Sequence, residues 1–223
     1  MNKNNLFSQI NGSFIIVTLI FGVIMMLSFK KSIHGQVVCF GDSITHGSEA
    51  NGFGWVQFLK TNHPDIDFIN SGRNGRKTSD KKELDKMLVD YPNANYYLIF
   101  LGVNDLKDAN DSLVNNCVTN VKWMIEKIKS VNENAEVVIL SPSSINLKTM
   151  SEINVKKKYN GNTKKALKTL EGKYKKLAKQ MDVGFISLLH TVSNGNYLDG
   201  LHPNKAGESQ IADAVWKGLN KLF

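Results

Sequence analysis

Short, largely apolar runs alternate along this chain with longer segments in which apolar residues recur every three or four positions. The runs are Val37 to Phe40, Ile66 to Asn70, Tyr96 to Leu101, Val137 to Leu140 and Val183 to Leu188. The segments between them carry one apolar face each, at helical spacing. Trp55, Phe58 and Leu59 share a face of a short helix that should stop near His63-Pro64, because the residue before a proline disfavours helix. Ser79 is placed to cap the next helix, with Leu84, Met87, Leu88 and Tyr91 inward. Leu113, Cys117, Val121, Met124, Ile125 and Ile128 mark a longer helix. Ala166, Leu167, Leu170, Tyr174, Leu177, Ala178 and Met181 mark another. Pro203 suits the first turn of a last helix with Ile211, Val215 and Leu219 inward. The polar stretch from Ser143 to Val155 reads as a loop over the sheet edge. Strand and helix alternate five times, and the strands are continuously apolar rather than alternating. That is the pattern of an α/β fold with a five-stranded parallel sheet covered on both faces.

The first 35 residues stand apart from this alternation. Phe14 to Phe29 is interrupted only by Thr18, Gly22 and Ser28, with Lys3 before it and Lys30 and Lys31 after. It is shorter than the roughly 20 residues of a full membrane span and has no polar face. A signal-peptide core or short signal anchor fits it best, a core helix being the rival. Residues 1–35 are therefore expected to be a leader and 36–223 a single domain, exported and secreted, periplasmic or attached to a membrane through residues 14–29. No repeat or second domain follows.

The chain of 223 residues has a formal net charge of +8, which raises the question of nucleic acid. Its distribution argues against that partner. Lysines from Lys156 to Lys179 crowd one helix and its approach, opposed only by Glu171, and account for the whole excess. No aromatic stacking pattern or nucleic-acid motif accompanies them. A solvated helix face is the plain interpretation and an anion-binding patch its rival. The cysteines, Cys39 and Cys117, sit at apolar positions and read as buried small hydrophobes. Two cysteines make no framework, although a bridge between them stays open.

Chemistry-bearing residues gather where strands end. The first strand stops at Gly41-Asp42-Ser43, the second leads into Ser71-Gly72-Arg73-Asn74-Gly75-Arg76, and the third into Gly102-Val103-Asn104-Asp105. Asp199-Gly200-Leu201-His202 lies just before the last helix. In a parallel sheet these strand ends share one edge, where ligands bind. Taken alone, Ser43 is equally a helix cap, and Asp199 with His202 a solvated turn. Together they meet the needs of acyl transfer: a nucleophile, a base, an acid that orients the base, and donors for the oxyanion. Ser43 can attack, His202 can take its proton and Asp199 can hold the imidazole. Backbone N–H groups of Ser43 and Gly75 and the Asn104 amide can hold the developing negative oxygen. The remaining histidines, His34, His46, His63 and His190, show no metal-ligand spacing.

Gly41-Asp42-Ser43, Gly75, Gly102-x-Asn104-Asp105 and Asp199-x-x-His202 resemble, in order, the four blocks of the SGNH (GDSL) hydrolase family, from Val37 to the C-terminus. The resemblance implies a flavodoxin-like three-layer α/β/α sandwich and an esterase, lipase, thioesterase or carbohydrate deacetylase that needs no metal or other cofactor. It implies Ser43 as nucleophile, His202 as base, Asp199 as its partner, and Gly75 and Asn104 as oxyanion donors. Gly72 competes with Gly75 for the second block. Counting from Asn70, Gly75 is preferred. Asp42 and Asp105 are expected to hydrogen-bond the loops, and Arg76 either faces the cleft or lies on the surface.

The expected function is hydrolysis of a carbohydrate ester, an O-acetyl group above all, or of another small ester. A lysophospholipase or acyl-thioesterase is the same-family alternative and requires an apolar channel leading from Ser43. A non-catalytic carbohydrate- or surface-binding protein retaining the fold is the alternative outside enzymes. Fold and triad do not decide among substrates.

Overall fold

Five strands lie parallel in the computed structural model, which describes residues 32–223. They are β1 (Gln36–Gly41), β2 (Asp67–Gly72), β3 (Tyr96–Phe100), β4 (Glu136–Leu140) and β5 (Gly184–Ile186), in the order β2-β1-β3-β4-β5. This is the flavodoxin-like order, in which the connections leave β1 in opposite directions and open a crevice beyond the ends of β1 and β3. The strand ends are level. Gly41 pairs with Gly72 on one side and Phe100 on the other, Phe100 with Leu140, and Leu140 with Ile186.

The helices are α1 (Ser43–His46), α2 (Trp55–Asn62), α3 (Lys81–Asp90), α4 (Asp111–Val131), α5 (Glu152–Lys156), α6 (Gly161–Gln180) and α7 (Lys205–Leu222). α2 packs on α7, and α4 packs on α3 and α6. Successive strand residues face opposite layers. Val38, Phe40, Tyr97, Ile99, Val137 and Ile139 join the core formed with α3, α4 and α6. The alternate residues Val37, Cys39, Leu98 and Val138 are equally buried and serve the α2–α7 layer, where Trp55 meets Phe100 edge to face at 6.1 Å. Burial on both faces explains why β1, β3 and β4 read as apolar runs, while the edge strand β2, DFINSG, has only Phe68 buried.

Local details depart from the sequence pattern. β2 continues to Gly72, and β5 is confined to Gly184–Ile186. Asp80, not Ser79, precedes α3, and its carboxylate is drawn away to the Lys77 N–H and to Arg73. On α4 the buried position falls to Val114, with Leu113 only half-buried. α7 begins at Lys205. Pro203 bridges to Tyr197, and Asn204 accepts the Gly207 N–H as a cap does. Cys39 and Cys117 are both buried and free. The apolar segment 14–29 lies outside the described residues. Among those described, no helix is long and apolar enough to cross a membrane.

Two buried ionisable side chains act as structural ties, one between strand ends and one between helices. Arg76 lies neither in the cleft nor on the surface. Its guanidinium donates to the carbonyls of Gly41 (2.7 Å) and Ser71, pairs with Glu83 at 3.2 Å and stands 4.1 Å over the Phe40 ring. It thereby ties the ends of β1 and β2. Glu208, 2 % exposed on α7, accepts the Trp55 N–H at 3.0 Å and caps α2. Burial lifts its carboxyl from an ordinary 4.5 to about 8, against the pull of that N–H and with a smaller push from Asp42.

Arg76→Met strands those carbonyls and the Glu83 carboxylate, and should lower unfolding free energy by about 2–4 kcal/mol, read as a fall in denaturant midpoint. Glu208 holds a proton in the folded protein that it loses when unfolded, from its ordinary 4.5 up to about 8. Stability should therefore fall as pH rises through that window. Melting curves across it should be flatter for Glu208→Gln than for the native chain.

Candidate active site

The loop after β1 turns at once into α1. Asp42 caps it, its Oδ1 accepting the Ile44 N–H at 3.0 Å, and this places Ser43 in the first turn at the sheet edge. Burial pushes the Asp42 carboxyl up to about 6, opposed by the Ile44 N–H. The Asn70 side chain donates to the Thr45 carbonyl at 2.8 Å and accepts the Gly72 N–H at 2.9 Å. A Cβ on Gly72 would lie 2.2 Å from the His46 nitrogen. Gly72 is thus a packing glycine whose N–H is already taken.

His202 comes from the far end of the chain. Its Nε2 lies 2.9 Å from Ser43 Oγ, and its Nδ1 lies 2.9 Å from Asp199 Oδ2. Asp199 Oδ1 accepts the backbone N–H groups of Leu201 (3.0 Å) and His202 (2.8 Å). The hydroxyl, imidazole and carboxylate therefore form one continuous line. Burial works against the Asp199 charge, but the hydrogen bonds from His202 and the Leu201 N–H outweigh it and hold the carboxyl well below the usual range.

Ser43, Gly75, Asn104 and His202 line one cavity of about 200 Å³. Gly75 has a φ of +74°, a conformation that favours glycine. Asn104 is buried; its Nδ2 makes only long contacts, 3.3 Å to the Arg76 carbonyl and 3.4 Å to Asp42 Oδ2. Asp105 accepts the Thr78 hydroxyl at 2.6 Å and the Thr78 N–H at 3.1 Å, which ties the third loop to the second. Burial raises its carboxyl as well, against those bonds. Among the described residues no three His, Cys, Asp or Glu side chains are placed to hold a metal.

Two functional neighbours escaped the sequence pattern. The stretch after Ser143 is not loop throughout, because α5 lies within it and delivers Asn154. This buried amide donates to Asp199 Oδ2 at 2.8 Å, the same oxygen that faces the imidazole. Just beyond α5, buried Tyr159 donates its hydroxyl to Asn104 Oδ1 at 2.7 Å. That bond turns the amide so that its N–H groups face the loops of Asp42 and Arg76. One short segment thus supports both the orienting acid and the candidate oxyanion donor. The only sequence signal was a capping pattern, Ser151 followed by Asn154, whose N–H bonds Ser151 Oγ at 3.4 Å.

A flavodoxin-like sandwich with a serine, a histidine and an aspartate in line at its switch-point edge has the parts of a serine hydrolase. The chain belongs to the GDSL-like lipase/acylhydrolase family, whose model matches residues 37–215, and it is a carboxylic ester hydrolase. Solved structures share the fold. The M. smegmatis aryl esterase matches with a TM-score of 0.71 at 20 % identity, over 85 % of this chain and 100 % of that one. A carbohydrate acetylesterase from Sinorhizobium meliloti matches with a TM-score of 0.69 at 19 % identity, over 84 % and 99 %. An acetyl xylan esterase matches with a TM-score of 0.65 at 18 % identity, over 82 % and 98 %. A comparison with curated proteins finds no match.

Tyr159→Phe deletes one hydroxyl and leaves the ring. It should lower kcat on p-nitrophenyl acetate about tenfold with KM little changed, as expected when an oxyanion donor loses its orientation, and lower unfolding free energy by about 1–3 kcal/mol because the buried Asn104 Oδ1 loses its donor. A kcat within about twofold of the native value would show that Asn104 needs no such support.

Proposed function

We propose that this protein removes short acyl groups, acetyl above all, from carbohydrate or other small esters through an acyl-enzyme on Ser43. The observation that carries the proposal is the 2.9 Å approach of His202 Nε2 to Ser43 Oγ, with Asp199 2.9 Å behind the ring. His202 accepts the serine proton as Oγ attacks the ester carbonyl. Asp199 stabilises the imidazolium that forms. The negative oxygen of the tetrahedral intermediate lies against the N–H groups of Ser43 and Gly75 and the Asn104 amide. Collapse expels the alcohol, protonated by His202. A water activated by the same imidazole then hydrolyses the acyl-enzyme.

The cavity supports a short acyl group. It measures about 200 Å³, and its walls include Ser48, Glu49, Asn74, Lys107 and Lys157. Among the described residues that line it, Leu201 is the sole aliphatic side chain. The apolar channel that a lysophospholipase or acyl-thioesterase requires has no counterpart in such walls. The names of two structural neighbours, a carbohydrate acetylesterase and an acetyl xylan esterase, point the same way. The apolar segment 14–29 supports export of the enzyme.

Ser43→Ala should lower p-nitrophenyl acetate hydrolysis by at least about 10³-fold, and retained activity would remove Ser43 from the mechanism. Activity should fall in acid, because attack by Ser43 requires an unprotonated base, and a rate independent of pH would contradict that role. Across p-nitrophenyl esters of rising chain length, kcat/KM should drop by about 10²-fold or more from acetyl to octanoyl. A rising series would favour the lipid alternative.

A further inference from the structure

Lys107 and Lys157 line the same cavity as Ser43 and His202. Lys107 is half-buried, and its ammonium stands 5.4 Å over the ring of Tyr159, the residue that holds the Asn104 amide. Lys157 is exposed and follows α5 directly. Among the described residues neither lysine forms an ion pair within 4.0 Å. They are also close enough to repel each other. Burial, then Lys77, then Lys157 lower the Lys107 ammonium, and the one nearby acid acting against this, Asp105, is already bound by Thr78. Glu49 shares the cavity but belongs to the short turn Ser48–Ala50 after α1, where Ser48 is tied to Asn74. Two like charges beside a reactive hydroxyl, opposed among the cavity's lining residues by Glu49 alone, raise the local concentration of anions.

Resting on the esterase assignment above, we propose that Lys107 and Lys157 form an anion subsite and that the alcohol half of the natural ester is a sugar carrying a carboxylate or phosphate. In this reading the acyl group lies against Ser43, Gly75 and Asn104, and the alcohol half of the ester reaches Lys107, half-buried, and Lys157, exposed, in the same cavity. A carboxylate or phosphate there gains charge-assisted hydrogen bonds and relieves the repulsion between the two ammonium groups.

Three esters test this, acetylated at one common hydroxyl: methyl glucoside, the corresponding uronic acid and the 6-phosphate. The quantity read is the ratio of charged to neutral kcat/KM, so that a general loss of activity cancels. At low salt the ratio should be about tenfold for at least one charged ester, and which one identifies carboxylate or phosphate. It should approach one in about 0.5 M NaCl and in the Lys107→Ala/Lys157→Ala protein. Calorimetry with glucuronate and with inorganic phosphate on Ser43→Ala protein reads the subsite without turnover. Saturable binding that weakens in salt and on removal of the lysines is expected. Equal kcat/KM for neutral and charged esters, a preference that survives loss of both lysines, or no saturable binding of either anion would overturn the subsite. Turnover of the neutral acetyl ester in those cases would leave the esterase assignment standing. Absence of all ester turnover would count against that assignment instead.

Discussion

The ladder that aligns Gly41 with Gly72 and with Phe100 is the constraint from which the site follows. In a parallel sheet every strand runs the same way, so every loop that carries a polar turn emerges on one edge. Level strand ends bring those loops to one height. The order β2-β1-β3 then sends the connections from β1 and β3 to opposite faces and leaves a crevice between them. Ser43, Gly75 and Asn104 come from the three loops that border it, and His202 closes it from above α7.

Loops at a sheet edge have no ladder to satisfy their backbone, and here side chains take that part. Asp42, Asn70, Arg76 and Asp105 each join one strand-end loop to another or close one upon itself. Burying these groups costs stability, and the same desolvation raises the carboxyls of Asp42 and Asp105. The return is rigidity. A serine, an imidazole and an amide held by packed, hydrogen-bonded loops need little reorganisation when charge develops on the substrate.

Asp42 and Asp199 show how environment separates two identical side chains in one site. Asp42 is buried against few donors and is pushed towards neutrality. Asp199 is half-buried, receives the imidazole, two backbone N–H groups and the Asn154 amide, and stays charged. The first suits a structural cap that links Ser43 to Asn104. The second suits an acid that must remain ionised behind a base.

Residue periodicity was enough to determine the five parallel strands, their helical cover and the polar turns that end the strands, because apolar spacing records burial directly. The candidates Ser43, Gly75, Asn104, Asp199 and His202 came instead from motif order at the strand ends, since polar turns after the strands of a parallel sheet share one edge. What only the tertiary structure decided were the partners that act across the chain. Arg76 became a buried tie between strands, Gly72 a packing contact against α1, Asn154 the support of Asp199, and Tyr159 the support of Asn104. Local spacing carries no trace of these, because each depends on which distant segment arrives beside it. A residue's own periodicity reports whether it is buried, and only the packed chain reports against what.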